Sequence, residues 1–177
     1  MMHIKIDKPK KEDINEICKL FEIVIRDTFK KEEVHDILEI KNEIKDKEKM
    51  IKKSFDDKNT NFLIAKIDGK IIGSIGFGKA NEIIKKNVKE DIPEVTSVYV
   101  HPDYQRQGIG SILFKSILKL MLVKKIKKFC LDSGFKLAQG FWKHKLGNPT
   151  ISLKDYWGER YDHMIWCMDV KNALEIV

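Results

Sequence analysis

The six residues Gln105-Arg106-Gln107-Gly108-Ile109-Gly110 combine types and spacing that can hold an anion. Neither glycine carries a Cβ, so a bulky group can approach the main chain closely at both positions. A helix starting at this point presents first-turn N–H groups that have no intrahelical partner, and with the helix dipole behind them such groups bind phosphate. Main-chain amides from Arg106 to Ser111 are the expected cradle. The pattern is Q-x-x-G-x-G. It lacks the third glycine of a dinucleotide fingerprint and the Lys-Ser/Thr pair of a Walker loop.

The elements on either side suit that role. Residues 94–100, EVTSVYV, are rich in β-branched types and are closed by His101-Pro102, where proline bars regular continuation. After the glycines, Ile109, Leu113, Ile117 and Leu120/Met121 recur on one helical face, with Ser111, Lys115 and Lys119 on the other. A strand, a glycine-bearing turn and an amphipathic helix follow one another without a gap.

The rest of the chain alternates in the same way. Residues 3–6 read as a short strand. Ile14, Ile17, Phe21 and Val24 mark a first helix, and Val34, Leu38, Ile44, Met50, Ile51 and Phe55 a second helical stretch, broken or bent. Apolar runs at 61–67 and 71–77 are separated by Asp68-Gly69, a hairpin signal. The lysine-rich stretch 79–93 reads as a loop or frayed helix, 128–132 as a buried strand, 135–146 as a helix ended by Gly147, and 161–170 as a final strand. The order β-αα-β-β-β-α-β-α-β, with one or two more strand pieces at the end, predicts an α/β layer arrangement around one mixed sheet.

With 177 residues the chain can bury a substantial core within one domain. No apolar run is long enough to span a membrane and none follows the charged N-terminus as in a secretory signal, so a cytoplasmic location is expected. Cys18, Cys130 and Cys167 are odd in number, far apart and set in apolar surroundings; they read as separate reduced thiols. The net charge of +7 admits a polyanion, but acidic residues are interleaved with the lysines, which argues against a nucleic-acid surface. The local cluster Lys124-Lys125-Ile126-Lys127-Lys128 reads as cations opposing the negative end of the motif helix.

The Q-x-x-G-x-G motif, preceded by the apolar-x-Val triplet Val98-Tyr99-Val100, resembles the signature of the GNAT superfamily of N-acetyltransferases. The resemblance implies a single N-acetyltransferase domain over 1–177, with a mixed, mostly antiparallel central sheet flanked by helices. It implies acetyl-CoA as co-substrate, no metal, and an amine-bearing acceptor that the sequence does not identify. No nucleic-acid or membrane partner is expected, and homodimerisation stays open. Coenzyme A would be held by the main chain of Val98, Tyr99 and Val100, whose valine side chains are expected in the core, and by Gln105, Arg106, Gln107, Gly108, Ile109, Gly110 and Ser111.

Acyl transfer to an amine needs a neutral nucleophile. An alkyl ammonium with a pKa of about 10.4 is only about 0.04% free amine at pH 7, so a base has to help. Glu94 lies 11 residues before Gln105, where several histone-type members place a carboxylate base; the alternative is a solvated strand-end glutamate. Two departures stand out. Ala138-Gln139-Gly140-Phe141-Trp142 puts Trp142 where many members carry a tyrosine that protonates the leaving thiolate, and indole N–H is no useful acid near neutrality. Phe135 replaces an asparagine often found three residues before that alanine. His144, Tyr156 and Tyr161 are the substitutes for the acid, or the thiolate leaves with water alone. Late aromatics, Trp142, Trp157 and Trp166 with Tyr156 and Tyr161, either wall an acceptor pocket or pack the core. The rival to an enzyme is a catalytically silent acyl-CoA-binding sensor, which the same motif would serve.

Overall fold

In a computed structural model that describes residues 3–177, the elements run β1 (Lys5–Asp7), α1 (Ile14–Lys31), α2 (Ile37–Lys53), β2 (Asn61–Ile67), β3 (Lys70–Gly78), α3 (Glu82–Asn87), β4 (Glu94–Val100), α4 (Ile109–Val123), β5 (Lys128–Ser133), α5 (Lys136–Leu146), β6 (Ile151–Leu153), β7 (His163–Asp169) and α6 (Val170–Ile176). The strands form a seven-stranded sheet in the order β1-β2-β3-β4-β5-β7-β6. Pairing is antiparallel for β1–β2, β2–β3, β5–β7 and β6–β7, and parallel for β4–β5 through Glu94↔Cys130. The contacts divide the chain into two compact units, residues 3–77 with Thr96–Ile117, and Gly78–Val95 with Leu118–Val177.

In the first unit, α1 buries Ile17, Leu20, Phe21, Val24, Ile25 and Phe29, a stripe at helical spacing. The β2–β3 hairpin turns at Asp68 and Gly69, both left-handed at φ 49° and 82°, which is why Asp-Gly stands there. Gly73 of β3 answers a close approach: a Cβ there would lie 2.9 Å from Leu113 Cδ1 and 3.1 Å from the Tyr99 carbonyl oxygen. The expected break in the second helical stretch is absent. α2 is one continuous helix started by Asp36, whose carboxylate accepts from the N–H groups of Leu38 and Glu39, and only Ile44 and Ile51 of it are buried. Val34 and Phe55, which made the pattern look broken, lie outside it.

In the second unit, Ala80, Ile84, Ile92, Cys130 and Ile165 pack as one cluster. The stretch expected as a loop or frayed helix holds α3, capped by Asn81, whose Oδ1 accepts from Ile84 N–H at 3.0 Å. The final strand is shorter than expected, and the chain turns at Val170 into α6. Lys128 belongs to β5 rather than to a helix end and pairs with Glu90 at 2.9 Å. The three-thiol expectation is corrected as well. Cys130 and Cys167 are disulfide-bonded, because the β5–β7 register sets them directly opposite each other at a Cα–Cα distance of 4.2 Å. Cys18 alone is a free thiol, and burial pushes it up from its ordinary pKa.

Candidate functional site

The glycine motif is built in the first unit by the end of β4 and the start of α4. Ser97 sits in β4 at φ 53°, and its carbonyl accepts from Ser74 Oγ at 3.0 Å. A left-handed residue in mid-strand breaks the two-residue alternation of faces. Residues 94–97 are accordingly buried in succession and 98–100 only half-buried, so the side chains of Val98 and Val100 are not the core residues the alternation predicts. The strand ends where His101 N–H donates to Ile72 O at 2.8 Å. A 3-10 turn at Pro102–Tyr104 then brings the chain to Gln105.

Gln105 staples the loop through its side chain. Its Nε2 donates to Val100 O at 3.0 Å and its Oε1 accepts from Lys31 Nζ at 3.1 Å, tying the loop to the strand end and to the last turn of α1. Arg106 at φ 60° and Gly108 at φ 80° are both left-handed, and a Cβ at Gly108 would meet nothing within 4 Å. Ile112 N–H donates to Gly108 O at 3.1 Å. The N–H groups of Ile109, Gly110 and Ser111 therefore precede the first intrahelical bond and have no intrahelical acceptor. Below them α4 buries Ile109, Leu113, Ile117 and Met121, the face its spacing predicts, while Lys115 and Lys119 are exposed.

Glu94, at the other end of β4, belongs to the second unit. It is 7% exposed, which rules out a solvated strand-end glutamate. Its Oε2 accepts from the main-chain N–H of Asn81 at 2.8 Å. The Asn81 side chain donates to Asp132 Oδ2 at 2.9 Å, and the same oxygen lies 2.8 Å from His163 Nε2. Trp157 Nε1 donates to His163 Nδ1 at 3.0 Å. Gln139 Nε2 donates to Ser133 O at 2.9 Å and Asp162 O at 2.8 Å, fixing the main chain beside both Asp132 and His163. Asn81, Asp132, Gln139 and His163 were not singled out from the sequence. The available signal was the presence of polar residues within apolar runs, FCLDS around Asp132 and HMIWC after His163.

The model of the acetyltransferase (GNAT) family matches residues 20–147. The chain belongs to this family. It is an acyltransferase. Among solved GNAT structures, the PaiA N-acetyltransferase of Thermoplasma acidophilum in complex with coenzyme A is similar at 20% identity and TM-score 0.70, over 95% of this chain and 99% of that one. The ribosomal-protein-S18-alanine N-acetyltransferase of Escherichia coli is similar at 16% identity and TM-score 0.65, over 95% and 94%. A GNAT acetyltransferase of Brucella melitensis in complex with acetyl-CoA is similar at 21% identity and TM-score 0.57, over 80% and 82%. At these identities the likeness shows a shared fold. No curated protein sequence matches the chain.

The positions at which this GNAT chain departs from the usual pattern have plain structural roles. Trp142 is a core residue, 5% exposed, with its ring edge-on to Phe141 at 4.9 Å. Phe135 precedes the first turn of α5, its N–H donating to Ser133 Oγ at 3.1 Å. His144, Tyr156 and Tyr161 are exposed, and Lys136 Nζ lies 4.3 Å over the Tyr161 ring. Of the three tryptophans, Trp142 and Trp166 pack the core and Trp157 is 54% exposed.

Proposed function

We propose that this GNAT enzyme transfers an acetyl group from acetyl-CoA to a primary amine by direct attack within a ternary complex. The observation that carries the reading is the turn at 106–108, where two left-handed residues, one of them Gly108 with nothing within 4 Å of its Cβ position, lead into the amides of Ile109, Gly110 and Ser111, which have no intrahelical acceptor. A pyrophosphate suits such amides, and the main chain of Val98, Tyr99 and Val100 supplies polar groups for the amides of a pantetheine arm. Glu94 takes a proton from the ammonium, the freed nitrogen attacks the thioester carbonyl, the C–N bond forms and the C–S bond breaks, and the proton that the nitrogen then sheds passes through water to the departing thiolate. A thiol of pKa about 8.5 leaves without a dedicated acid. The reading keeps the cytoplasmic location expected from the sequence; among the described residues no helix is long and apolar enough to cross a membrane.

Calorimetry with acetyl-CoA tests the cradle. Gly108→Val is expected to abolish binding. Gly69, at φ 82° and likewise with nothing within 4 Å of its Cβ position, is the control, since Gly69→Val carries the same backbone strain away from the motif and is expected to bind normally. Unchanged affinity in a folded Gly108→Val protein overturns the cradle. Release of free thiol with a panel of primary amines, comprising a polyamine, an amino acid and a peptide with a free N-terminus, tests the transfer. Glu94→Gln is expected to lower turnover by roughly 10² to 10⁴ at pH 7, with a smaller loss at high pH where free amine is abundant.

A further inference from the structure

Trp157, His163, Asp132, Asn81 and Glu94 form one hydrogen-bonded chain, and its three strand members, Glu94, Asp132 and His163, lie on one face of the sheet. Glu94 is in register with Cys130, Asp132 stands two residues further along β5 opposite Ile165, and His163 is two residues from Ile165 on β7. Even spacing along paired strands keeps all three on a common face. We propose that Asp132 and His163 are positioning residues for Glu94, acting through Asn81; this rests on Glu94 serving as the base.

Each link has a fixed direction. Indole N–H is only a donor, so His163 Nδ1 accepts from Trp157 and Nε2 carries the hydrogen, which it donates to Asp132. With both ring nitrogens committed, the imidazole holds Asp132 rather than moving protons. Asp132 Oδ2 receives His163 on one side and Asn81 Nδ2 on the other. Asn81 is held at four atoms: Nδ2 donates to Asp132, Oδ1 accepts from Ile84 N–H, the main-chain N–H donates to Glu94 Oε2 and the carbonyl accepts from Lys85 N–H. The amide cannot turn without breaking two bonds, and the direction of the N–H that holds Glu94 is set with it. Apolar side chains would hold α3 against the sheet at least as well as this part-buried polar chain, since shielding charge from water is costly even when it is paired. The chain instead ends on the one carboxylate whose orientation matters to the reaction.

The test is a double-mutant cycle in the full-length protein, read as thiol release from acetyl-CoA with the fastest amine of the panel. Asp132→Ala removes the shared acceptor and is expected to lower kcat roughly 10- to 100-fold, with KM for acetyl-CoA within about twofold. Asp132→Asn keeps an oxygen able to accept both bonds and is expected to rescue kcat to within about threefold of wild type. In a Glu94→Gln background, Asp132→Ala is expected to cost nothing further. Should Asp132→Ala fail to fold, Asn81→Ala, which removes the bond to Asp132 and the cap on α3 but keeps the main-chain N–H to Glu94, replaces it in the cycle with the same expectation. A wild-type kcat in Asp132→Ala, a loss in Asp132→Asn as large as in Asp132→Ala, or additive losses in the double mutant would each overturn the positioning role while leaving Glu94 as base. Full turnover in Glu94→Gln, or no thiol release with any amine, would overturn the reading on which it rests.

Discussion

Trp142 stands where many family members carry a proton-donating tyrosine, and it is a core residue, 5% exposed. The ring is buried and edge-on to Phe141. Trp142→Tyr removes apolar volume and brings a hydroxyl into the same site; it is expected to cost roughly 1–3 kcal/mol in denaturant unfolding, the range for a buried polar group without a good partner, with kcat per folded molecule unchanged. A tenfold gain in thiol release would instead place this position beside the departing sulfur. At this scale the motif was legible and the Glu94 network was not. Gly108 is visible because a left-handed turn demands its type. The network that ends on Glu94 runs through residues 81, 132, 157 and 163, of which strand register brings Asp132 and His163 together, so no local spacing announces it.

At the scale of elements, the pattern located the strand and helix around the motif because each repeats its period over several turns or residues. What it missed was irregular. Ser97 lies in a run of β-branched residues that reads as uninterrupted strand, yet its φ of 53° breaks the alternation, with 94–97 buried in succession and 98–100 half-buried. The helix α2 buries only two residues, seven apart, so its apolar stripe is too thin to trace among neighbouring loop hydrophobics. The Cys130–Cys167 bond belongs here too, since 37 positions separate the cysteines and only the β5–β7 pairing makes them neighbours. A bond closing a loop of this size stabilises by roughly 4 kcal/mol when its effect is on the unfolded chain. Cys167→Ser is therefore expected to lower stability by up to about that amount under non-reducing conditions, and reductant is expected to bring the wild type down to the level of the variant. Equal unfolding midpoints for wild type with and without reductant would show that the two sulfurs are not bonded in solution.

The charge of the whole molecule is spread over many solvated lysines, but one pair is shielded enough to shape its pH dependence. Asp13, at the start of α1, accepts from Lys66 Nζ at 2.9 Å and from Lys10 N–H at 2.7 Å, with only 10% of its side chain exposed. Burial pushes its carboxyl up, but the hydrogen bonds from Lys66 and Lys10 and their charges outweigh burial, and the group lies below its ordinary value of 3.8. The hydrogen bond to Asp13 raises Lys66 above its ordinary 10.5, against a smaller opposing effect of burial. A depressed carboxylate stabilises the fold above its unfolded pKa and ceases to as pH falls through the folded value; a raised ammonium does so below its unfolded pKa and ceases to as pH rises through the folded one. Asp13→Asn keeps an acceptor for both donors and removes the charge. The wild type is expected to exceed this variant by roughly 1–3 kcal/mol on a plateau between about pH 5 and pH 10, the range for a hydrogen bond to a charged group. The advantage should shrink on the acid side as Asp13 protonates and on the alkaline side as Lys66 loses its proton. Urea unfolding of both proteins across that range reads the difference directly, and a gap independent of pH would show that Asp13 stabilises through packing and helix geometry rather than through its charge.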